Sequence, residues 1–390
     1  MQQRRTQIET AIRVTILFAT LLLVGPRADA DDPGYGTTLF LPNSTWAADP
    51  SAIRVGDTYY LYPTTTMMNV EAWSSIDLIN WTYEGVVWEP ADPYGWNNAG
   101  IWAPDVFVDQ GTYYLYYVAN GMIGLATSAS PTGPFVDYYD HPFIGGGYGS
   151  TPDDSIDPHV FRGLDGRLYV LCTATYALSL IRISEMDDPV TVKGDWHIAV
   201  VPGLSWEMFW AEGPYMVIHD GTYYLMYSGN NTAWPWYAVG YATATNPLGP
   251  YHKARENPIL HVDWEYDFWG PGHNSVVFEP DGRWHIFYHT KADLGDNWNR
   301  LVRINELSFD ANGKMFVVLG DDDTADDDTA DDDAIDDDAV DDDAVDDDTA
   351  DDDTIDDDAV DDDSADDDDV ADDDEIDDDD ADDDSSVCRC

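Results

Sequence analysis

The chain has 390 residues, 78 acidic and 17 basic, and its formal charge of −61 excludes nucleic acid or an anionic membrane surface as an electrostatic partner. That charge is uneven: Asp321 to Cys390 holds 41 Asp, one Glu and one Arg, a net of −41, which leaves −20 for the first 320 residues. The first 320 are rich in Trp, Tyr and Gly and long enough for one large core, whereas the last 70 hold too little apolar surface to build one.

At the start of the chain, Arg4, Arg5 and Arg13 precede an apolar run from Val14 to Gly25, which Ala28-Asp29-Ala30 closes with small residues. A run of about a dozen residues falls well short of the roughly 20 that span a bilayer. The pattern therefore reads as a secretory signal peptide cut after Ala30, not as an anchor. A secreted protein is expected, periplasmic, extracellular or on the cell surface, with no membrane span after cleavage. Cysteine usage fits neither a disulfide framework nor a zinc site, because Cys172 stands alone and Cys388 and Cys390 sit at the far terminus. Cys172 reads as a small buried apolar residue.

From Asp49 onward five segments recur: DPSAIRVGDTYYLYPTTT, PDVFVDQGTYYLYYVAN from Pro104, DPHVFRGLDGRLYVLCTAT from Asp157, EGPYMVIHDGTYYLMYSGN from Glu212, and HNSVVFEPDGRWHIFYHT from His273. Each pairs a β-branched or aromatic run with an aromatic-rich one across a Gly-containing turn such as Asp165-Gly166, Asp220-Gly221 or Asp281-Gly282, the signature of a hairpin. Starts 50 to 60 residues apart leave room for four-stranded blades. The expected fold is all-β: a five-bladed β-propeller over residues 31 to 320, followed by a disordered acidic tail.

In a propeller the first strand of every blade lines the central channel, so equivalent positions at its start converge from separate blades. Turn residues and tyrosines repeat because the fold needs them. The residue at the start does not: Asp49, Asp157, Glu212 and His273 stand there in different blades. An Asp-Pro or Glu-Gly pair also begins a strand by its turn chemistry alone. Three carboxylates on one channel end nevertheless point to a site.

Around these starts stand Ala48-Asp49-Pro50, Trp102-Ala103-Pro104-Asp105, Ser155-Ile156-Asp157-Pro158, Trp210-Ala211-Glu212-Gly213-Pro214 and Gly270-Pro271-Gly272-His273-Asn274-Ser275, with the stretch WSSIDLINW from Trp73 to Trp81 between the first two. In this ordered set the chain resembles glycoside hydrolase family 43, the arabinan- and xylan-degrading propeller enzymes. The resemblance implies that Asp49 is the general base, Glu212 the general acid, and Asp157 the residue that orients the acid and tunes its pKa. It also implies an axial calcium ion or water near His273, whose alternative is a hydrogen-bonded place in the channel lining. No cofactor is required. Arg300 or Arg303 resembles a family arginine that reaches the substrate pocket.

The chemistry asks for the same division of labour. Cleavage with inversion needs one carboxylate to deprotonate water and one carboxylic acid to protonate the leaving oxygen, about 6.5–9.5 Å apart. A carboxylate at Asp157 would raise the pKa of Glu212 by like-charge repulsion. Sugar faces stack on aromatic rings, and Trp73, Trp102, Trp210, Trp234 and Trp236 fall where loops reach the channel mouth, with Trp102 and Trp210 flanking the acidic motifs. Asp105 reads as structural, capping the strand or binding backbone amides.

Two rivals are weaker. Fructan-processing propellers usually carry Arg-Asp-Pro and Glu-Cys where this chain has Ile156-Asp157-Pro158 and Ala211-Glu212-Gly213. A non-catalytic carbohydrate-binding propeller has no use for all three acids. The expected partner is a polysaccharide or oligosaccharide, the expected enzyme a monomeric α-L-arabinofuranosidase or β-xylosidase, with endo-arabinanase and exo-β-1,3-galactanase as alternatives. The Asp tail, with its period of five, suits neither helix nor heptad packing, lacks the glycine turn of calcium-binding loops, and reads as a hydrated solubilising tail, with a spacer or a loose reservoir for calcium as the alternative.

Overall fold

Alternating apolar residues and glycine turns fold each repeat as an antiparallel hairpin. In the fourth, Ala211–His219 turns through Asp220-Gly221 into Thr222–Gly229. Both turn residues have positive φ, 46° and 79°, the backbone that a two-residue hairpin of native twist requires. The computed structural model describes residues 34–145, 154–175, 178–296 and 298–320. The expected signal peptide, the Asp-rich tail, Cys388 and Cys390 lie outside the described residues.

Five sheets result. Their innermost strands are Ala48–Val55, Trp102–Asp109, Ser155–Arg162, Ala211–His219 and Gly272–Phe278. Strands follow outward in chain order in each of the first four blades. Each innermost strand packs against that of the next blade, and the fifth returns to the first, so the fold is a five-bladed β-propeller. Its apolar core is five interfaces between neighbouring blades. Tyr62, Trp88, Leu115 and Tyr117 fill the first, and Trp73, Trp81 and Phe287 fill the one that closes the ring. Cys172 is buried and free in the interface between blades 2 and 3.

Tyrosines recur because they do two jobs at these interfaces: the ring fills the wedge and the hydroxyl reaches a carbonyl of the next blade. Tyr62 donates to Pro131 O at 2.7 Å, Tyr116 to Pro189 O at 2.6 Å and Tyr224 to Gly313 O at 2.7 Å. Thr37–Thr38 pairs with Arg300–Phe309, so the beginning of the described chain supplies an outer strand to the last blade. Arg303 secures this seam by donating to the carbonyls of Tyr35 and Gly36 at 3.0 and 3.1 Å. No helix among the described residues is long and apolar enough to cross a membrane.

Candidate active site

All five innermost strands break register at the same place, between Ala48 and Ser51, Trp102 and Asp105, Ile156 and His159, Glu212 and Tyr215, and Gly272 and Ser275. Two residues there face one on the partner strand, which is a β-bulge, and a bulge bends the strand and re-aims its side chains. Within each bulge one residue has positive φ: Asp49 at 46°, Ala103 at 40°, Asp157 at 52°, Gly213 at 58° and His273 at 48°. Four of these precede a proline, where extended backbone is the ordinary choice. The strained conformation therefore belongs to the fold, and Asp is among the residues that tolerate it best.

This register corrects the alignment of the acids. Asp49, Asp157 and His273 are equivalent to one another, but Glu212 is not. Its blade places Gly213 at the strained position, and Glu212 matches Ala48, Trp102, Ile156 and Gly272. The glycine has a local cause. A Cβ on Gly213 would lie 3.1 Å from the His273 ring at a φ that disfavours side chains, and its N–H donates to Asp157 Oδ2 at 3.1 Å.

A second repeating device fixes the bulges. In four of the five blades the residue paired with the one just before the bulge accepts the backbone N–H of the strained residue in the following blade: Thr64 from Ala103 at 2.8 Å, Thr173 from Gly213 at 3.2 Å, Ser228 from His273 at 2.7 Å and His289 Nδ1 from Asp49 at 3.1 Å. Blade 2 has Val118 at this place, which has no side-chain acceptor. One layer deeper, Ser51, Asp105 and Ser275 accept the amides of Val106, Val160 and Ala52. Asp105 is thus structural, as its sequence context suggested, and its other oxygen lies 3.2 Å from His159 Nδ1.

Asp49 and Asp157 are buried and Glu212 is half-buried, and the three share one electrostatic neighbourhood in opposed environments. Burial alone would raise Asp49, yet Arg300 at 2.9 Å and then His273 at 3.5 Å hold it well below the usual carboxylate range, and His289 Nδ1 lies 3.2 Å away. All three contacts fall on Oδ1, and Oδ2 makes no hydrogen bond or ion pair among the described residues. Asp157 is raised, first by burial and then, against the pull of His273, by the charge of Asp49; Thr173 donates to its Oδ2 at 3.0 Å. Glu212 is pushed up to about 8 by burial and then by Asp157, against a hydrogen bond from Tyr237 and the charge of Arg300. His289 is driven down to about 3 by burial and by Arg300, so it is neutral, and its ring stacks on Tyr237 at 5.6 Å. Its Nδ1 cannot both accept from the Asp49 amide and donate to Oδ1. The acceptors at the equivalent places in three other blades assign it the first role.

Sequence reasoning left Arg300 and Arg303 undecided, and their neighbours separate them. Arg300 pairs with Asp49 and lies 3.4 Å from Thr232 Oγ1, whereas Arg303 holds the seam of blade 5. Trp73, expected as a sugar contact, is a correction: it is 0 % exposed, packs in the core against Tyr83 and donates its indole N–H to Pro42 O at 2.8 Å. Trp102 occupies in blade 2 the register of Glu212, half-buried, with an indole N–H that has no partner among the described residues. Trp210, also half-buried, meets Phe209 and Trp234 edge-on, both at 6.2 Å. His289, Tyr237 and Thr232 were missed. His289 had a signal, being the one ring at a place where other repeats carry Thr, Val or Ser.

The calcium implied for His273 finds a poor donor set. His273 Nδ1 is turned to Asp49 Oδ1, and no group of three or more His, Cys, Asp and Glu among the described residues is arranged to hold a metal. Calcium takes six to eight oxygens, so direct ligation here does not fit.

Comparison with known proteins agrees with this architecture. The sequence model of glycosyl hydrolases family 43 matches residues 43–315. The chain is 31% identical over 299 residues to the beta-D-galactofuranosidase xynD of Aspergillus niger, covering 70% of this chain and 82% of that one. It is 25% identical to a xylosidase/arabinosidase of Bacteroides ovatus, covering 73% and 98%. Among solved structures, a thermostable family-43 glycoside hydrolase shares 33% identity at a TM-score of 0.65, covering 72% of this chain and 95% of that one.

Proposed function

The chain belongs to glycoside hydrolase family 43 and is a glycosidase acting on hemicellulose, and from that premise we propose an exported, inverting enzyme that removes arabinofuranosyl or xylosyl groups. In this reading Asp49 is the base. Its Oδ2 takes a proton from water, the water oxygen bonds to the anomeric carbon from the side opposite the leaving group, and the glycosidic C–O bond breaks as Glu212 gives its proton to the departing oxygen. The sugar leaves with inverted configuration, and solvent returns the proton to Glu212 and removes the one on Asp49. What supports these roles is the pairing of opposed environments: Asp49 held ionised by Arg300, and Glu212 kept protonated by burial and Asp157. Arg300 fixes the base, and Trp102 and Trp210 flank the sugar. A structural calcium, if bound near His273, would act through coordinated waters, and no step depends on it.

Arabinofuranosidase is the first choice for the sugar. The name of the Aspergillus relative favours a furanose, and β-D-galactofuranose has the ring stereochemistry of α-L-arabinofuranose. Endo-arabinanase, exo-galactanase and a purely carbohydrate-binding propeller are the alternatives. The test is product analysis on aryl glycosides, arabinan, arabinoxylan and galactan, with anomers followed by NMR. Glu212→Gln and Asp49→Asn are expected to lose about 10²–10⁴-fold in kcat/KM on polysaccharide. Full activity in either variant overturns the roles. For Glu212→Gln the loss should shrink on an aryl glycoside whose leaving group needs no protonation, whereas Asp49→Asn should stay equally impaired.

A further inference from the structure

On blade 4, three stretches of chain within residues 205–208, 230–238 and 258–262 line a cleft of about 410 Å³. Its rim is unusually apolar and open. Trp234 is 42 % exposed, Trp236 and Trp264 each 53 %, and Phe209 65 %. Single exposed aromatics are ordinary, but these touch one another, Trp210 with Trp234 at 6.2 Å and Trp236 with Trp264 at 6.3 Å. A contiguous apolar patch on a folded domain marks a binding surface.

The walls are held rigidly. Trp206 wedges between two glycines, where a Cβ on Gly229 or Gly240 would approach its ring to 2.4 and 2.8 Å. Next to it, the buried Glu207 accepts from the amides of Gly203 and Leu204, the hydroxyl of Tyr227 and the ammonium of Lys253, all at 2.6–2.7 Å. Among the described residues lining the cleft, none is Asp, Glu, Lys or Arg, although the chain carries −61. Ser205, Asn230 and His261 supply its polar groups. Such a lining suits a neutral ligand with apolar faces and hydroxyl edges, not a charged peptide or a headgroup.

The cleft is also continuous with the acids. The 230–237 loop starts at the site, where Thr232 meets Arg300, and ends there, where Tyr237 stacks on His289 beside Asp49. Its middle carries Trp234 and Trp236 outward. We propose that this cleft is a second carbohydrate subsite, in which Trp234, Trp236 and Trp264 stack on neutral sugar rings of the polymer remote from the bond that is cut. The proposal rests on the hydrolase reading for its choice of ligand.

The experiment uses the full chain, its Trp236→Ala and Trp264→Ala variants, and Trp236→Tyr as the conservative control. Affinity electrophoresis in gels containing arabinoxylan or arabinan reads binding without catalysis. Kinetics then give the ratio of kcat/KM on polymer to that on a 4-nitrophenyl arabinofuranoside. Each Ala variant is expected to bind polymer about fivefold more weakly and to lower the ratio similarly, while Trp236→Tyr keeps most of both. Unchanged binding and ratio in both Ala variants overturn the subsite and leave the hydrolase reading standing. A concentration-dependent dimer that Trp236→Ala abolishes also overturns it, by giving the patch to a second copy. Retention through Trp236 in a protein that releases no sugar keeps the subsite and sinks the hydrolase reading.

Discussion

Glu212 and Asp49 are carboxylates of one kind made unlike by their neighbours, and the difference predicts the pH dependence. An acid raised to about 8 stays protonated across neutrality, while a base held well below its usual range is ionised there. Thus kcat/KM should be flat near neutral pH and fall on the alkaline side as Glu212 loses its proton. Asp157→Asn removes the like charge that resists this ionisation, so the alkaline limb should move to lower pH; an unmoved limb would count against Asp157 as the tuning residue. The same shift bears on stability. Between the ordinary Glu value of 4.5 and about 8, the folded state keeps a proton that the unfolded chain has released, so stability falls as pH rises through that window. Glu212→Gln is free of that penalty, and its melting temperature should exceed that of the parent at pH 8 but match it at pH 4. At this scale the sequence was informative about residue type and uninformative about partners. Only packing distinguishes Arg300, which faces Asp49, from Arg303, which faces the carbonyls of Tyr35 and Gly36.

The functional unit at the next scale is the bulge at the head of each innermost strand together with the acceptor that, for four of the five, holds it from the preceding blade. Turn dipeptides and aromatic runs made the hairpins legible, because their signals are local. A bulge is not local. It appears only when register with the second strand is known, which is why Glu212 aligned with Asp49 and Asp157 in sequence but stands one place earlier in structure. Trp73 misled for the same reason, since its burial depends on Pro42 and on its neighbour Tyr83 across the sheet. Gly213→Ala tests the unit. The new Cβ would press on His273 at a φ of 58°, so we expect a loss of about 1–2 kcal/mol in stability together with a drop in kcat that exceeds any change in KM. Unchanged kcat would mean that Glu212 tolerates movement of its strand. Glu207 is a harsher case. Truncation to Ala leaves the amides of Gly203 and Leu204, Tyr227 and Lys253 without their shared acceptor, at an expected cost of about 3 kcal/mol read from urea unfolding.

Five repeats of one hairpin were enough to give the ring, because an odd blade out would leave an apolar face uncovered. How the ring closes was not legible, since Thr37–Thr38 is a two-residue strand with no pattern of its own. Its position gives it weight out of proportion to its length. The strand pairs with Arg300–Phe309, and Arg303 and Asn305 spend their donors on the carbonyls of Gly34, Tyr35 and Gly36 in the segment just before it. Arg300, which holds Asp49, opens the same strand. Removing residues 31–38 should therefore leave Arg303 only its bond to Thr290 and the Asn305 amide only that to Val318 O, lower the urea midpoint by an amount corresponding to about 2 kcal/mol, and weaken the site through Arg300. The other terminus gives the contrasting case. If residues 321–390 are a solvated spacer, their removal should leave both the midpoint and turnover as they were, apart from a weaker salt dependence once a net charge of −41 is gone. Equal losses from the two truncations would assign the acidic segment a part in holding the propeller together.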